Sequence, residues 1–435
     1  MKADDTIFAL SSGALPAGLA VIRLSGSRAI AVADKLAGRS GRAREAALRT
    51  IKAVDGTVID RGLVIAFPGP HSFTGEDCVE LHVHGSRAVV STLYSVLQSE
   101  GLRLAEAGEF SKRALENGKL DLVQAEGLAD LLRSETEMQR RLAVEQSDGG
   151  LSSIYDRWAK ELTRARALIE AELDFADEDH VPGSVSDTIW PAVKSLKEAI
   201  DAQLQATQGG TIIRDGYQVA IVGAPNAGKS SLLNALARQD IAIVTDVAGT
   251  TRDILHVDLD IDGFLVRFFD TAGIRDTSDI VELEGIRRAQ ALMQRADLVL
   301  ALSENDSYPE WSSDLDGIPI WKLQTKSDLT GAQSELADFS ISSKTGDGLE
   351  AIKSAISALV GAQWQAIAAL KPGRLRHAAL LERASLLLAE ALEQSELEMR
   401  AECLRLAAEE LGRITGKVDV EHLLGIIFSE FCIGK

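Results

Sequence analysis

Residues 223–230 read GAPNAGKS and place two glycines, a lysine and a serine at the spacing G-x-x-x-x-G-K-[ST]. The preceding YQVAIVG predicts a buried strand and the following SLLNALA predicts a helix, which is the context that this loop requires. Glycine amides and the helix N-terminus can bind phosphates, Lys229 can reach the β and γ oxygens, and Ser230 can bind Mg²⁺. The pattern predicts a nucleoside triphosphate site.

Three further segments follow in the order typical of GTPases: GTT at 249–251, DTAG at 270–273 and TKSD at 325–328. The hydroxyls of GTT can complete the Mg²⁺ shell, while DTAG offers an acid for the metal's water shell and a glycine amide that can sense the γ phosphate. The carboxylate of Asp328 can accept two hydrogens from guanine but would face an acceptor on adenine, which favours GTP over ATP. Thr325 stands where asparagine is usual, so we expect weaker guanine contacts there. The later segment ISSKTG predicts the last loop around the base.

The chemistry of hydrolysis is less obvious from these motifs. The residue after DTAG is Ile274, which cannot orient a water molecule as glutamine does there in many small GTPases. Charge that develops on the phosphates also needs a cation, and the nearby candidates are a bound metal ion and Arg252, Arg275, Arg287 and Arg288. Asn226 presents a neutral carbonyl oxygen, which suits a weakly held hard cation. The alternative, that Asn226 serves only the geometry of the loop, is equally open.

Composition limits the class of protein. The chain has 435 residues and a formal charge of −19, so we expect two or three domains and repulsion of polyanions unless basic residues gather locally. Three scattered cysteines, Cys78, Cys403 and Cys432, form no disulfide framework and fit a reduced cytosol. No apolar run approaches the roughly 18 residues of a membrane span, and the acidic start does not resemble a signal peptide. These features predict a cytoplasmic, globular protein.

Periodicity along the chain predicts a multidomain α/β and all-α protein. Residues 1–118 alternate strand-like and helix-like segments and predict an α+β domain. Residues 119–213 are helical; DLVQAEGLADLLRSETEMQRRLAVEQ predicts one long amphipathic helix, and a Gly-Gly pair ends the last helix. Residues 214–368 predict a doubly wound, Ras-like P-loop domain, and residues 369–435 return to helices. Since neither helical half buries its own apolar stripe, we expect one discontinuous helical domain around the insert, with two separate bundles as the alternative.

Five segments carry a resemblance to a known family: GAPNAGKS, IVTDVAGTTRD, DTAGIRDTSDIVELEGIRRA, the N-terminal FPGPHSFTGEDCVELHVHG and the terminal FCIGK. With them the chain resembles the MnmE (TrmE) family of tRNA-modification GTPases over essentially its whole length. The resemblance implies an N-terminal folate-binding and dimerisation domain, a helical domain and an inserted domain that hydrolyses GTP to GDP and phosphate. It also implies a homodimer that forms a heterotetramer with an FAD-containing partner of the MnmG (GidA) type. Together they would install a carboxymethylaminomethyl or aminomethyl group on carbon 5 of the wobble uridine of certain tRNAs, with the tRNA held largely by the partner and no role for a membrane.

The resemblance also assigns roles at the nucleotide site. In the family K⁺ takes the place of an arginine finger, and its ligands are matched by Asn226, Thr245, Val247 and Thr250. Glu282 matches the acid that positions the attacking water, although from the residues alone it reads as an exposed helix carboxylate. The predicted catalytic set is Glu282, Lys229, Thr251 and Gly273, and the predicted Mg²⁺ ligands are Ser230 and Thr251. The predicted nucleotide-binding set is Asn226, Ala227, Gly228, Lys229, Ser230, Ser231, Thr245, Asp246, Val247, Ala248, Gly249, Thr250, Thr251, Asp270, Thr271, Ala272, Gly273, Thr325, Lys326, Asp328, Ser342, Ser343 and Lys344.

A folate site is the other implication of the resemblance. In the family a 5-formyl- or methylene-tetrahydrofolate lies between the N-terminal domain and the extreme C-terminus, and its binding residues are matched by Arg23, Glu80, Lys119 and Lys435. A folate combines a flat, hydrogen-bonding pterin with an anionic tail, so one acid and several cations suit it. The alternatives are that the two internal cations are surface charges and that Glu80 pairs with His82 or His84. SSGALPAGLAV lacks the family's Pro-Gly-Gly lead into the strand, which leaves the route of folate entry open.

Two other functions stay open on the residues. One is a regulatory or ribosome-assembly GTPase whose output is binding, although such proteins generally carry a basic RNA-binding module that the sequence does not display. The other is a folate-binding aminomethyltransferase that carries a nucleotide sensor. Folate retention and GTP turnover measured on one preparation distinguish these functions from the leading one.

Overall fold

The computed structural model describes residues 5–39, 41–174, 186–239, 256–270, 293–308, 317–330, 334–371, 373–418 and 434. The chain forms two compact units. Met1–Ala129, Gln146–Ala159 and Leu411–Lys435 make up the first, and Asp130–Glu145 and Lys160–Glu410 make up the second. None of the helices within the described ranges combines the length and apolarity needed to cross a bilayer. The domain limits drawn from the sequence stay predictions.

Strands and helices alternate in the front and middle of the chain, and helices dominate elsewhere. The strands are β1 (Ile7–Leu10), β2 (Ala17–Ser25), β3 (Ala47–Lys52), β4 (Val58–Phe67), β5 (Cys78–Gly85), β6 (Arg103–Leu104), β7 (Tyr217–Gly223), β8 (His256–Ile261), β9 (Phe264–Asp270), β10 (Leu298–Ser303), β11 (Ile320–Gln324) and β12 (Phe339–Ser340). The helices are α1 (Ala29–Ala37), α2 (Arg87–Ser99), α3 (Glu109–Glu116), α4 (Leu122–Arg133), α5 (Glu137–Ser147), α6 (Gly150–Asp174), α7 (Ser186–Asp215), α8 (Lys229–Gln239), α9 (Ser327–Thr330), α10 (Leu349–Ile367), α11 (Leu375–Glu393) and α12 (Leu397–Thr415). This mixture confirms the predicted combination of α/β and helical parts.

The first unit contains a six-stranded sheet in the order β3-β4-β5-β2-β1-β6. Its strand pairs are antiparallel except β1 with β6. Side chains alternate between the two faces of a strand, so Ile22, Leu24 and Leu81 point to one face and pack in a core with residues of α1 and α2. The opposite face carries Arg23 and Glu80, which are directly paired neighbours on β2 and β5.

The predicted long helix over residues 121–146 is wrong, because the structure breaks it into α4 and α5. At the break the hydroxyl of Ser134 donates to the carbonyl oxygen of Asp130 at 2.8 Å. The side-chain oxygen of Gln139 accepts from the backbone amides of Glu135 and Thr136 at 2.9 and 3.1 Å. Such local side-chain hydrogen bonds compete with the helical pattern and start a new helix.

The second unit contains a six-stranded sheet in the order β12-β11-β10-β7-β9-β8. Five strands are parallel and β8 runs antiparallel to β9 at the edge. The central strands β7 and β10 are almost wholly buried, which explains their continuous aliphatic sequence. Helices α8 and α10 contribute Leu232, Leu236, Ile352 and Ile356 to the core on this sheet. The predicted doubly wound arrangement is confirmed.

Helices from before and after this sheet pack together in the second unit. Helix α7 runs alongside α11, and the hydroxyl of Ser385 donates to the carboxylate of Asp201. The predicted end of α7 at Gly209 and Gly210 is wrong, because the helix continues to Asp215. A Cβ on Gly209 would lie 3.1 Å from Cδ1 of Ile367, so packing against the end of α10 gives this glycine a place inside the helix.

Candidate nucleotide site and N-terminal polar site

The phosphate-binding loop connects β7 to α8, as the sequence predicts. Asn226 has φ 66° and Gly228 has φ 94°, so the loop uses the left-handed region twice within three residues. Asparagine tolerates this conformation better than most side chains, which gives Asn226 a geometric role in the loop. Its side chain is exposed, and no hydrogen bond to it is present among the described residues. The residue can therefore serve the loop geometry and also present its amide oxygen to an ion.

Lys229 and Ser230 open helix α8 and place their polar atoms in the loop. The ammonium of Lys229 is 7% exposed and donates to the carbonyl oxygens of Gly223 and Ala224 at 2.7 and 2.9 Å. The hydroxyl of Ser230 donates to Oδ2 of Asp270 at 2.8 Å, at the carboxyl end of β9. The structure thus brings together the ammonium of Lys229, the hydroxyl of Ser230 and the carboxylate of Asp270. Ser230 and Asp270 lie forty residues apart in the sequence.

A hard divalent cation fits the Ser230–Asp270 pair. Both side chains offer oxygen, which is the donor that Mg²⁺ prefers, and the Asp270 carboxylate is 4% exposed. Ser230 would hold the ion directly and Asp270 through its water shell, while bound Mg²⁺ would supply positive charge to the phosphates. The described ranges contain no group of three or more His, Cys, Asp and Glu residues that could hold a metal by themselves.

The base-reading segments lie beside the phosphate loop. A cavity of about 350 Å³ is lined by Gly228, Ser231, Thr325, Lys326, Asp328, Leu329, Ser343 and Lys344. Parallel strands direct their carboxyl ends to the same edge of a sheet, so the loops after β7 and β11 meet there. The cavity therefore combines the phosphate loop with the two segments that the sequence assigns to the guanine base.

Thr325 replaces the usual asparagine without leaving a gap. Its side chain is 3% exposed, its amide donates to the Ser303 carbonyl oxygen at 2.8 Å, and its hydroxyl lies 3.4 Å from the same oxygen. A Cβ on Gly228 would lie 3.7 Å from Cβ of Thr325, so the two segments are in close contact. Lys326 has φ 57° and its ammonium binds Glu304 Oε2 at 2.6 Å. Thr325 thus joins β11 to β10 and to the phosphate loop by packing.

Asp328 is held by the last loop of the site. The hydroxyl of Ser342, which is fully buried, donates to Asp328 Oδ1 at 2.8 Å. This contact orients the carboxylate at the wall of the cavity and leaves Oδ2 to accept from a ligand. Ser342 thus positions Asp328, while Ser343 and Lys344 line the cavity itself.

We expect Asp328→Asn to weaken GTP binding by about 10- to 150-fold, because hydrogen bonds to a charged group contribute about 1.5–3 kcal/mol. The variant should gain affinity for xanthine nucleotides, whose base presents an acceptor to the new amide. Titration with fluorescent guanine and xanthine nucleotides measures both changes. An unchanged preference for guanine would remove Asp328 from the base site.

Much of the predicted nucleotide set lies outside the described residues. This applies to Thr245, Asp246, Val247, Ala248, Gly249, Thr250, Thr251, Thr271, Ala272, Gly273 and Glu282. It also applies to Ile274 and to the candidate arginines Arg252, Arg275, Arg287 and Arg288. The roles given to these residues stay predictions.

A second polar site lies on the face of the first unit's sheet opposite the core that packs with α1 and α2. The guanidinium of Arg23 donates to Glu80 Oε1 through Nε at 3.2 Å and Nη2 at 3.0 Å, and His82 Nε2 lies 3.0 Å from Glu80 Oε2. Burial raises the pKa of Glu80, but hydrogen bonds from His82 and Arg23 and the charge of Arg23 outweigh it and lower the pKa below its ordinary value. His84 instead pairs with Asp60 at 2.9 Å. Glu80 is therefore an ionised, oriented carboxylate.

Two aromatic rings flank Arg23, and the sequence does not single them out. The guanidinium carbon lies 5.5 Å from the ring centre of Phe73 and 5.8 Å from that of Phe110. The loop with Phe73 is anchored through Glu76, whose carboxylate accepts from Arg113 at 3.0 Å and from the Ser25 hydroxyl at 2.7 Å. No periodicity in the sequence marks these contacts, because Phe73 reaches Arg23 from the loop between β4 and β5 and Phe110 reaches it from α3.

Lys119 and Gly434 lie beside the same sheet at different places. Lys119 is exposed, and a Cβ on Gly75 would lie 3.2 Å from its Cε, so its side chain runs beside the loop that carries Phe73. The hydroxyl of Ser11 donates to the carbonyl oxygen of Gly434 at 2.7 Å. Gly434 has φ 101°, and a Cβ there would lie 2.1 Å from the Leu10 carbonyl oxygen, so this contact requires glycine. Lys435 and Cys432 lie outside the described residues.

Comparisons with known proteins agree with this architecture. Residues 122–432 match the family model of the MnmE helical domain, and residues 6–119 match that of the GTP-binding protein TrmE N-terminus. A protein of Agrobacterium fabrum named tRNA modification GTPase MnmE is 56% identical over 437 residues, covering 99% of both chains. Proteins of the same name from Rhizobium johnstonii and Sinorhizobium medicae are 56% and 54% identical, covering 99% of both chains and 100% of both chains respectively. The chain therefore belongs to the MnmE/TrmE family.

Proposed function

We propose that this chain, a GTPase of tRNA modification, hydrolyses GTP with K⁺ and Mg²⁺ and thereby drives modification of the wobble uridine at carbon 5. The observation that carries the nucleotide part is the cavity in which Gly228 and Ser231 face Thr325, Asp328 and Lys344. A triphosphate at the loop can place its base against these side chains. Hydrolysis would supply conformational drive and timing, while the carbon chemistry occurs elsewhere.

The proposal for K⁺ rests on the donor chemistry of Asn226 and on the lack of a glutamine that could orient water. Asn226 presents a neutral amide oxygen at the surface of the phosphate loop, and Ile274 cannot orient water. Neutral oxygens suit a loosely held monovalent cation. When bound, K⁺ would supply the positive charge that an arginine finger supplies in other GTPases. Asn226 would be joined by Thr245, Val247 and Thr250, and Glu282 would position the water.

A reduced folate is the proposed source of the one-carbon unit. Arg23 and Glu80 offer an oriented cation and carboxylate, and Phe73 offers a flat apolar surface against which a pterin can stack. Lys119 and Lys435 would meet the anionic tail. We further propose that the chain works in the cytoplasm as a homodimer together with an FAD-containing protein of the MnmG (GidA) type, which would contribute redox chemistry and most of the grip on tRNA.

Wobble-uridine analysis in cells that lack this protein tests the proposal. We expect tRNAs with a wobble uridine to lose the carbon 5 modification and the wild-type gene to restore it. The Lys229→Ala gene should not restore it, because the modification depends on GTP turnover. Intact wobble uridines accompanied by incomplete ribosomes would instead support a ribosome-assembly GTPase.

A further inference from the structure

Basic residues gather at one edge of the first unit's sheet. Strand β3 is the edge strand, and β4 is its neighbour. Residues 39–61, which include all of β3 and the start of β4, contain six cations and three acids, although the whole chain carries a formal charge of −19. The cations are Arg39, Arg42, Arg44, Arg49, Lys52 and Arg61. This local excess of positive charge runs against the composition of the chain.

Carboxylates do not neutralise most of these cations. Of these six cations, only Arg42 forms an ion pair among the described residues, with Glu45 at 3.9 Å. Both side chains of this pair are well exposed. Asp60, which is the acid nearest along the chain to Arg61, directs both oxygens to His84. The basic edge therefore keeps its charge available to a ligand.

Neutral oxygens hold three of the guanidinium groups in place, two through backbone carbonyls and one through a threonine hydroxyl. Arg49 donates through Nε and Nη2 to the Arg39 carbonyl oxygen at 3.2 and 3.1 Å. Arg44 donates to the carbonyl oxygen of His71, and Arg61 donates to the Thr50 hydroxyl at 3.3 Å. Neutral acceptors fix the side chains without cancelling their charge. Because these guanidinium groups are already ordered, binding a ligand would cost them less conformational entropy.

The strand geometry brings these charges into a short span. Arg49 and Lys52 lie three residues apart on β3, or about 10 Å along the strand. Thr50 and Lys52 point to one face of β3, where Arg61 of β4 lies directly opposite Thr50, while Arg49 points to the other face. A nucleic acid duplex presents several phosphates over about 10 Å. These cations therefore lie on both faces of the strand edge and span about 10 Å, which suits a row of phosphates better than a single anion.

We propose that this basic edge, defined as Arg39, Arg42, Arg44, Arg49, Lys52 and Arg61, binds the phosphate backbone of tRNA. The inference rests on the proposed function, which makes tRNA the polyanion that this chain serves. An acidic chain must otherwise repel RNA, so a local set of unneutralised guanidinium groups is the physical requirement for direct contact. The edge would position the tRNA and leave recognition of the uridine to other groups.

The test compares two triple variants of the full chain. Arg49→Gln, Lys52→Gln and Arg61→Gln remove three charges from the basic edge. The control combines Arg28→Gln, Arg87→Gln and Lys112→Gln, which remove three exposed charges elsewhere in the same unit; Arg28 and Arg87 also rest on backbone oxygens. Binding is measured by fluorescence anisotropy with an unmodified tRNA transcript whose anticodon begins with uridine, at several salt concentrations. Thermal unfolding and GTP turnover check that both variants fold.

We expect the edge variant to bind the transcript at least about tenfold more weakly and with a salt slope smaller by about 2, while the control variant matches wild type. Equal losses in both variants would show a diffuse charge effect and overturn the proposal. So would intact tRNA binding with lost self-association or lost binding to the FAD-containing partner, which would make the edge a protein interface. Wild-type chain that binds no transcript at low salt would also overturn it. Wobble-uridine analysis remains an independent test of the function in each case.

Discussion

Lys229→Ala is expected to lower GTP turnover by at least about 100-fold, the effect of removing one preorganised electrostatic contact from a transition state. The ammonium is 7% exposed and lies on the carbonyl oxygens of Gly223 and Ala224, so it is already positioned where phosphate oxygens would arrive. Its positive charge can stabilise the negative charge that develops on the β and γ oxygens during hydrolysis. Single-turnover kinetics at saturating GTP measure the loss apart from any change in binding.

The chain offers a matched control for this variant. Lys353 is also 7% exposed and pairs with Glu350 at 2.9 Å on α10, outside the nucleotide cavity. Lys353→Ala removes a buried lysine of the same unit and should leave turnover near the wild-type rate, even where unfolding occurs at a lower temperature. Comparable losses of turnover in both variants would attribute the effect to weakened folding and contradict the role given to Lys229.

Replacing K⁺ with Na⁺ is expected to lower GTP turnover by about 100-fold, because in this proposal K⁺ carries the positive charge that an arginine finger supplies in other GTPases. Asn226→Gly tests the proposed ligand. Glycine adopts the observed φ of 66° without strain, so this change deletes the amide and keeps the loop. We expect Asn226→Gly to bind nucleotide but to hydrolyse GTP at the same low rate in both salts.

Other outcomes would assign Asn226 differently. Turnover that responds to K⁺ as strongly in Asn226→Gly as in wild type would leave this residue with its geometric role in the loop alone. Equal turnover of the wild-type chain in K⁺ and Na⁺ would contradict the monovalent-ion proposal. Asn226→Ala is a poorer choice, since alanine at a positive φ adds strain and confounds the two roles.

The sequence predicts the phosphate loop between β7 and α8 because the determinants of this loop are local. The phosphate loop needs a strand, a turn with special backbone angles and a helix start, and each leaves a mark within residues 217–239. Asp270, Thr325 and Asp328 follow strands of one parallel sheet, so topology alone carries them to the same edge. Their meeting in one place required no knowledge of long-range packing.

The two errors in helix limits have different causes, a tertiary contact at one and local side-chain hydrogen bonds at the other. Gly209 and Gly210 lie inside α7, because Gly209 packs against α10 and a glycine pair is tolerated where packing supports the helix. The break between α4 and α5 depends on the Gln139 side chain, which accepts from two amides that a continuous helix would have satisfied. Periodicity averages over such single contacts, so it could not have located the break.

The N-terminal polar site shows a third kind of limit. Arg113 is 1% exposed and pairs with Glu76 and Glu109. Arginine is almost never fully buried unless it is paired in this way. Only the fold brings this ion pair together and thereby anchors the loop that places Phe73 over Arg23. Family resemblance suggested Arg23 and Glu80, but no rule of spacing could have supplied the aromatic partners.

A crystal structure of the chain with GDP and a planar γ-phosphate mimic, grown in a rubidium salt, tests the central claim most directly. Rubidium replaces K⁺ and is identified by its anomalous scattering. We predict a rubidium ion bound by the side-chain oxygen of Asn226 and in contact with the phosphates. A guanidinium group in that position, or no cation there at all, would contradict the claim that a monovalent ion supplies the positive charge for hydrolysis.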